Sequence, residues 1–296
     1  MHYTAQNPKP CLDLCELVCL GSSAPQTEQR IQDFLHRDAF EGCERIYVGS
    51  SFCPQALFAS KPLIEAAACV CRSADMHLTL VLPIFAQRFL EKGRAYVAAA
   101  LSEQSLCIDE VVVNDFGMLA YMANAIEAGQ VGPVKIHLGR LLAKDTRDVR
   151  EPEFFAQPYA PNLLQQSESG SILSRYTASL EGGAHIAGIE LDLAHETLDL
   201  SEAPESLIVS VHEPQRYMST GQICEFASIG KAPQASFRPN DACSLQCLKN
   251  CERYEGASGK EFFKIGRTVY FNTEQSRFEG GMPSRRLISV LEEVMG

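Results

Sequence analysis

Short runs of β-branched and other apolar residues alternate along this chain with longer segments in which apolar residues recur at helical spacing. Strands and helices in alternation are typical of repeated βα units and a mostly parallel sheet. The pattern predicts strands at 14–20, 45–48, 78–83, 110–113, 134–138, 186–190 and 207–211. Helices are predicted at 27–35, 62–73, 86–101, 117–127 and 163–180.

At least seven strands in series, with helices between them, favour an α/β fold built as a (β/α)8-like, TIM-type barrel in complete, incomplete or distorted form. A doubly wound open sheet is the alternative. The barrel is predicted over residues 1–225. Residues 226–296 break the rhythm and hold a predicted strand at 267–272 and a final helix at 284–295. This C-terminal part has too few apolar residues for a core of its own, so we expect a small appendage packed on the barrel.

Composition excludes several classes of protein. The 296 residues are 46% apolar, which is enough to bury a large core without disulfide bonds. The net charge of −11 disfavours binding to a phosphate backbone. No run reaches the roughly 18 apolar residues of a membrane span, and the first residues lack a signal-peptide pattern. We therefore expect reduced cysteines and a cytoplasmic location.

A group of cysteines in a polar, loop-like segment is the strongest chemical signal. Cys224, Cys243, Cys247 and Cys251 lie there, and the last three repeat a Cys-x3-Cys spacing. Thiolates are soft ligands for iron–sulfur clusters and zinc. Structural zinc more often uses Cys-x2-Cys pairs, so the spacing favours a 4Fe–4S cluster over zinc. Ordinary reduced thiols are the remaining interpretation.

Polar residues follow several of the predicted strands. Ligands of parallel α/β folds collect at the carboxyl ends of the strands. Asp115, Arg140, Glu190 and His212 all lie at such ends, and they are the candidates for catalytic residues. Each alone is more often a cap or a turn former than a catalyst, and only their shared placement makes them candidates.

Cys11, Cys15 and Cys19 repeat the same spacing near the start of the chain. They fall in an apolar run that predicts the first barrel strand, where positions four apart share one face. Free cysteine packs as a small hydrophobe, so we expect buried packing rather than a second metal site.

Several motifs together resemble a known family. They are the segment 49–53, the Asn-Asp-x-Gly of 114–117, the Ile-Glu-Leu of 189–191, and the Val-His of 211–212 followed by Ser219, Gly221 and Cys224. The chain is similar over residues 12–252 to the collagenase-like U-32 peptidase family. Within it, the chain resembles the short UbiV-type branch, which takes part in O2-independent hydroxylation in anaerobic ubiquinone biosynthesis.

The resemblance implies a particular ligand set for a 4Fe–4S cluster. Matched position by position, the ligands are Cys53, Cys224, Cys243 and Cys247, with Cys251 as the runner-up. Spacing alone selects Cys251 in place of Cys53. The sequence departs from the family where Glu213 follows the strand-end histidine and where Ile223 precedes Cys224, which predicts a different substrate.

The resemblance also implies partners and substrates. A UbiU-like family protein is the expected partner in a hetero-oligomer. Prephenate, a dianion, is the implied oxygen source, and Arg140 and Lys144 are candidate cations for it. The alternatives are a non-catalytic accessory protein with a structural cluster and a peptidase. For the peptidase, His212 near Ser219 is the available pair, but no nucleophile elbow or zinc-binding His-Glu-x-x-His helix is present.

Overall fold

The structure is a computed structural model that describes residues 7–142, 186–193, 197–201, 203–248, 251–256, 259–273 and 277–295. Its strands are Lys9–Asp13 (β1), Arg45–Gly49 (β2), His77–Leu82 (β3), Ile108–Val113 (β4), Lys135–Leu138 (β5), Ile186–Asp192 (β6), Thr197–Asp199 (β7), Ile208–Glu213 (β8), Gln215–Thr220 (β9), Glu252–Glu255 (β10), Glu261–Ile265 (β11), Thr268–Asn272 (β12), Arg277–Glu279 (β13) and Arg285–Ser289 (β14). Its helices are Ala24–Leu35 (α1), Pro54–Ala59 (α2), Lys61–Ala74 (α3), Gln87–Ser102 (α4), Phe116–Glu127 (α5) and Leu291–Met295 (α6).

Eight parallel strands form a closed barrel in the order β1-β14-β8-β6-β5-β4-β3-β2, and β2 pairs with β1 to complete the ring. The strands of such a barrel are covered on both faces, which explains their near-continuous apolar runs. All five residues of β2 are buried. The longer helices cover the barrel with one apolar face each. On α3, for example, Leu63, Ala67 and Val70 are buried at helical spacing.

Most of the predicted strands and helices are confirmed within two or three residues, but the first strand is wrong. The strand β1 ends at Asp13, and residues 14–20 form a buried loop. Glu16 adopts a left-handed backbone with φ of 68°, which no strand accommodates. The apolar run reflects burial of a loop, with Leu14 and Leu17 in the core. Because the chain turns here, Cys11 and Cys15 are buried but Cys19 is exposed.

The predicted final helix is also wrong at its start. Residues 285–289 are the strand β14, which lies between β1 and β8 and closes the barrel. Alternate side chains of β14 point to opposite sides of the barrel wall. Leu287 packs with Cys11 and Tyr47 inside the barrel. The part of the chain after residue 225 is therefore more than an appendage, because it supplies one barrel strand. The predicted helix at 163–180 and Lys144 lie outside the described residues.

Charged residues fill the amino-terminal half of the barrel. Glu110 on β4 accepts hydrogen bonds from Arg285 on β14 at 2.8 Å and 3.1 Å and from Tyr47 on β2 at 3.3 Å. These strands are not neighbours in the ring, so the bonds cross the interior. Burial raises the pKa of Glu110, but the hydrogen bond and contact with His137 and the charges of Arg285 and Arg45 outweigh burial and hold the pKa well below its usual range.

A second, antiparallel sheet in the order β10-β11-β12-β9 lies at the carboxyl end of the barrel. Aromatic side chains form the contact between this sheet and the barrel. The ring of Phe52, which follows β2, lies 5.0 Å from the ring of Tyr217 on β9 and 5.8 Å from that of Tyr270 on β12. This sheet brings the late part of the chain over the end of the barrel where the strand-end residues collect.

Candidate functional site: a cysteine-lined cavity beside the barrel mouth

Four cysteines from distant parts of the chain line one cavity of about 40 Å³. Cys53 follows β2 and precedes α2, and its backbone N–H donates to the Ser50 hydroxyl at 2.7 Å. Cys224 follows β9, and Cys243 and Cys247 come from the loop after it. The structure therefore brings together Cys53, Cys224, Cys243 and Cys247, which are the four positions implied by the resemblance.

Burial and the neighbouring cysteines raise the pKa values of thiols in this cavity. Burial, followed by the charges of Cys53, Cys224 and Cys243, raises the pKa of the Cys247 thiol to about 12. Burial raises the pKa of Cys53 to about 11, against the opposing effect of Arg267. With these pKa values, the thiols of Cys53 and Cys247 are protonated at neutral pH in the protein without a metal. A bound metal has to displace the protons, which makes its affinity pH-dependent.

The donor set of this cavity consists of four cysteine thiols. Among the described residues, no three His, Cys, Asp or Glu side chains form a group compact enough to hold one metal ion. Tetrahedral zinc, with Zn–S bonds of 2.3 Å, requires sulfurs only about 3.8 Å apart. An iron–sulfur cluster is larger and takes each thiolate on a separate iron. Four cysteines around one cavity offer one thiolate for each iron.

Cys251 is not part of this cavity. It precedes β10 and packs against the hydrophobic core, and the charges that act on its thiol come from Arg253, Glu292 and Glu252. Residues 243–248 are a loop with a single short helical turn at Gln246–Leu248. The Cys-x3-Cys spacing therefore does not place its three sulfurs on one helical face.

Gly266 lies against the cavity where the chain turns between β11 and β12. Its φ of +58° is left-handed, and a Cβ at this position would lie 3.7 Å from the sulfur of Cys247. Glycine accommodates this backbone without strain. The turn thereby brings Arg267 to the edge of the cavity.

Three of the four catalytic candidates lie together at the barrel mouth. The buried ring of His212 on β8 has its Nε2 atom 3.0 Å from a carboxylate oxygen of Glu190 and its Nδ1 atom 3.4 Å from one of Asp13. Burial and Arg140 disfavour the charged ring, but the two carboxylates outweigh them and raise the pKa of His212. The pKa of Asp13 is lowered, because the contact with His212 outweighs its burial.

Arg140 makes its contacts inside the protein. Its guanidinium pairs with Asp192 and donates to the backbone carbonyl of Gln215 at 3.0 Å. It also lies 5.3 Å from the ring centre of Tyr217 and 5.7 Å from that of Phe52. These contacts bury the side chain and leave little of it for an external anion, so its role is to join the barrel to the second sheet.

Asp115 lies apart from this group. Its carboxylate accepts from the backbone N–H of Met118 at 2.7 Å and from that of Phe85 at 3.2 Å. It is the N-cap of α5, in keeping with the capping preference of aspartate. The preceding Asn114 likewise bonds to the backbone, at Leu82 and Leu141.

Several buried polar atoms at the mouth have no hydrogen-bond partner within the described residues. They include Nε of Arg140, Oε1 of Glu190 and Oε1 of Gln215. Arg140 and Gln215 line a cavity of about 10 Å³ together with Asp13, Glu16 and others. Buried polar groups are normally satisfied, and this space is close to the minimum for one water molecule.

Sequence reasoning missed Glu16, which lines both the small cavity at the mouth and the cysteine-lined cavity. Its carboxylate accepts from the Ser50 hydroxyl and the Ser51 N–H, both at 2.6 Å, and from the Phe52 N–H at 3.3 Å. Burial raises the pKa of Glu16 to about 7, against these hydrogen bonds. The available signal was a lone acidic residue inside an apolar run.

A larger cavity of about 370 Å³ opens next to the cysteine-lined cavity. The two share Gln222, Asn240 and Arg267 in their walls. Arg267 is the one charged residue among the described residues that line the larger cavity, and the rest of its wall is mainly apolar, with Phe52, Ile84, Ala86, Leu141 and Tyr217. Such a mostly apolar pocket with a few polar groups is the usual form of a small-molecule site.

Comparison of the chain with models of protein families, with curated proteins and with solved structures finds no match. None of the helices formed by the described residues combines the length and apolar character needed to cross a membrane.

Proposed function

We propose that this chain is an iron–sulfur protein that holds a 4Fe–4S cluster through Cys53, Cys224, Cys243 and Cys247. One observation carries the proposal. Sulfurs from three segments that are far apart in sequence line a single cavity, and Cys251, which the spacing alone favoured, does not. Twelve cysteines scattered by chance have no reason to converge in this way. Thiolates without histidine are the usual ligands of such clusters.

We further propose a role in O2-independent hydroxylation of the kind found in anaerobic ubiquinone biosynthesis, in the cytoplasm and on a barrel of the (β/α)8 type. The 370 Å³ cavity supports this role, because a substrate bound there lies next to the cysteines. Once bound, the cluster supplies one-electron transfer. The protein's own residues bind and orient the substrate, and Phe52 and Tyr217 provide the apolar wall.

The lining of the 370 Å³ cavity supports Arg267, in place of Arg140 and Lys144, as the cation that attracts an anionic substrate such as prephenate. Arg140 is buried and paired with Asp192, and Lys144 lies outside the described residues. Arg267 lines the pocket and is half-buried. We therefore assign the attraction for a carboxylate to Arg267.

A UbiU-like family protein is the proposed partner. Its support is a set of apolar side chains exposed on the segment that carries the late cysteines, namely Ile223 at 48%, Ile229 at 54% and Phe237 at 60%. Exposed apolar groups near a functional site are typical of a protein interface. Copurification of the two proteins under anaerobic conditions tests this part. A partner that does not bind under those conditions contradicts it.

A non-catalytic accessory role is the second candidate, and one observation favours it. Cys53 belongs to the barrel, whereas the other three ligands belong to the segment that follows β9. A cluster between them also acts as a staple that fixes this segment to the barrel. A peptidase finds less support, since both ring nitrogens of His212 face carboxylates while Ser219 is exposed.

The deciding experiment is purification without oxygen, followed by measurement of iron, acid-labile sulfide and visible absorption. We expect about four irons per chain and a brown protein. The Cys243→Ser variant loses most of the iron, whereas Cys251→Ser retains it. Cys107→Ser, an exposed cysteine away from the cavity, is the matched control. A colourless, iron-free wild type, or an equal loss from Cys251→Ser, contradicts the proposed site.

Redox titration during turnover separates the two roles. A cluster that transfers electrons changes oxidation state when substrate is added, and a purely structural cluster does not. The first result supports the hydroxylation role and the second the accessory role.

A further inference from the structure

Arg267 occupies the point where three cysteine-bearing segments meet. Its Nε atom donates to the backbone carbonyl of Phe52 at 2.8 Å, and a terminal nitrogen donates to the same carbonyl. Its other terminal nitrogen donates to the side-chain oxygen of Asn240 at 2.9 Å. Phe52 directly precedes Cys53, and Asn240 lies three residues before Cys243.

The third segment is attached through Asn240. The backbone N–H of Asn240 donates to the carbonyl of Gln222 at 2.6 Å, and its side-chain amide donates to the side chain of Gln222 at 3.1 Å. Gln222 lies two residues before Cys224. The guanidinium of Arg267 thus fixes the segments before Cys53 and Cys243 relative to each other. It fixes the segment before Cys224 indirectly, through Asn240.

The shape of arginine matters for this role. The planar guanidinium presents donors on several edges at fixed angles, and a lysine ammonium offers the same charge without that geometry. Two of the partners of Arg267 are oxygens on different segments. Replacement by lysine keeps the charge but loses the simultaneous bonds.

Arg267 is also a cation at the cavity wall. It lines the cysteine-lined cavity together with the carboxylates of Glu16 and Asp241. Its guanidinium bonds to the residue before Cys53 and lies in the wall of the cavity that Cys53 and Cys224 line. Net charge and hydrogen bonding around a cluster set its reduction potential, and residues behind the ligands orient them.

We propose that Arg267 is the positioning residue of the cysteine site, which aligns the segments that carry Cys53, Cys224 and Cys243 and raises the potential of the group bound there. This inference rests on the proposed iron–sulfur function. Its geometric part, the alignment of the three segments, concerns the metal-free protein as well.

The test compares Arg267→Lys and Arg267→Gln with Arg37→Gln as the matched control. Arg37 makes an exposed ion pair with Glu293 and does not line the cavity. After anaerobic reconstitution, we expect wild-type iron and sulfide in Arg37→Gln, at least a twofold loss in Arg267→Gln, and an intermediate content in Arg267→Lys. Equal content in all four proteins contradicts the alignment role.

The remaining clusters are titrated by electron paramagnetic resonance. Loss of a positive charge disfavours the reduced cluster, so at a fixed potential the ratio of oxidised to reduced cluster rises about tenfold in Arg267→Gln, equivalent to 59 mV for one electron. In Arg267→Lys the ratio stays close to that of the wild type. A purely structural role does not produce this difference between lysine and glutamine. An unchanged ratio in Arg267→Gln overturns the electrostatic role.

Hydrogen exchange of the iron-free proteins provides an independent result. We expect at least tenfold faster exchange in peptides covering 50–56 and 237–248 of Arg267→Gln than of Arg37→Gln, with α1 unchanged. If the wild type binds no iron, the proposed function fails, but this experiment still decides the alignment role. If Arg267→Gln does not fold, hydrogen exchange is measured in Arg267→Lys instead. Exchange at the wild-type rate in Arg267→Lys then contradicts the inference.

Discussion

The carboxylate of Glu16 accepts a 2.6 Å hydrogen bond from the backbone N–H of Ser51, and this bond joins the loop after β1 to the turn after β2. The same carboxylate accepts from the Ser50 hydroxyl. Cys53 follows two residues later. The position of the first cysteine therefore depends on a buried acid that has no sulfur chemistry of its own.

The first prediction concerns the pH dependence that Glu16 confers on stability. Burial raises the pKa of Glu16 from 4.5 to about 7 in the folded chain. Between these two values the folded protein holds a proton that the unfolded chain releases, so the free energy of unfolding falls as pH rises. At about 1.4 kcal/mol per pKa unit, the loss is roughly 3 kcal/mol. Glu16→Gln removes this dependence.

The measurement is urea unfolding of the wild type and Glu16→Gln from pH 4 to pH 8, with a chelator present so that metal release does not contribute. The other titrating groups are common to both proteins, so the difference between the two curves isolates Glu16. Parallel curves mean that Glu16 does not titrate in this range.

The second prediction concerns the histidine between two carboxylates. His212→Ala leaves Asp13 and Glu190 buried side by side without the ring that separates and neutralises them. Removal of one partner from a buried ionic group destabilises a protein by about 3–5 kcal/mol. We expect a loss of this size in the free energy of unfolding at pH 7, measured by denaturation.

The control for this variant is His36→Ala. His36 is exposed, and surface substitutions usually change stability by about 0.5 kcal/mol or less. A His212→Ala variant as stable as His36→Ala shows that the two carboxylates are neutral or solvated in the protein.

The third prediction concerns the closing strand of the barrel. A chain that ends at Ser284 lacks β14, which separates β1 from β8. It exposes the edges of both strands and removes Arg285, whose guanidinium neutralises the buried Glu110. We expect an aggregated or unfolded product in gel filtration and circular dichroism, because open parallel edges and a buried carboxylate that has lost one of its cations are both costly.

A chain that ends at Val290 keeps β14 and the buried Val290 and loses α6, so it serves as the control. We expect it to remain folded with reduced stability. If the chain that ends at Ser284 is folded and monomeric, residues after 284 are an appendage after all.

The fourth prediction concerns the 370 Å³ cavity. Ala86 lines this cavity and does not line the one with the cysteines. An Ala86→Trp side chain fills part of the space, so we expect at least a tenfold loss in affinity for prephenate, measured by calorimetry, with unchanged iron content. Ala99→Trp, on an exposed face of α4, is the control. Unchanged prephenate affinity in Ala86→Trp places the ligand elsewhere.

The sequence by itself determined the local elements of this protein. The hydrophobic pattern located β2 to β6, β8 and the helices α1, α3, α4 and α5, because strands buried on both faces leave short apolar runs and helices buried on one face leave a repeat of about 3.6 residues. It also located the polar segment with the late cysteines and the strand-end positions of His212 and Glu190. These properties depend on near neighbours in the chain.

Only the tertiary structure decided which distant parts meet. Periodicity did not show that β14 lies beside β1, that Cys53 rather than Cys251 shares a cavity with Cys224, or that Arg267 binds the carbonyl of Phe52. Hydrogen bonds and charge interactions act over a few ångströms in space, whatever the separation along the chain. The closing strand and the residues around the cysteines are therefore set by packing, which a local pattern does not record.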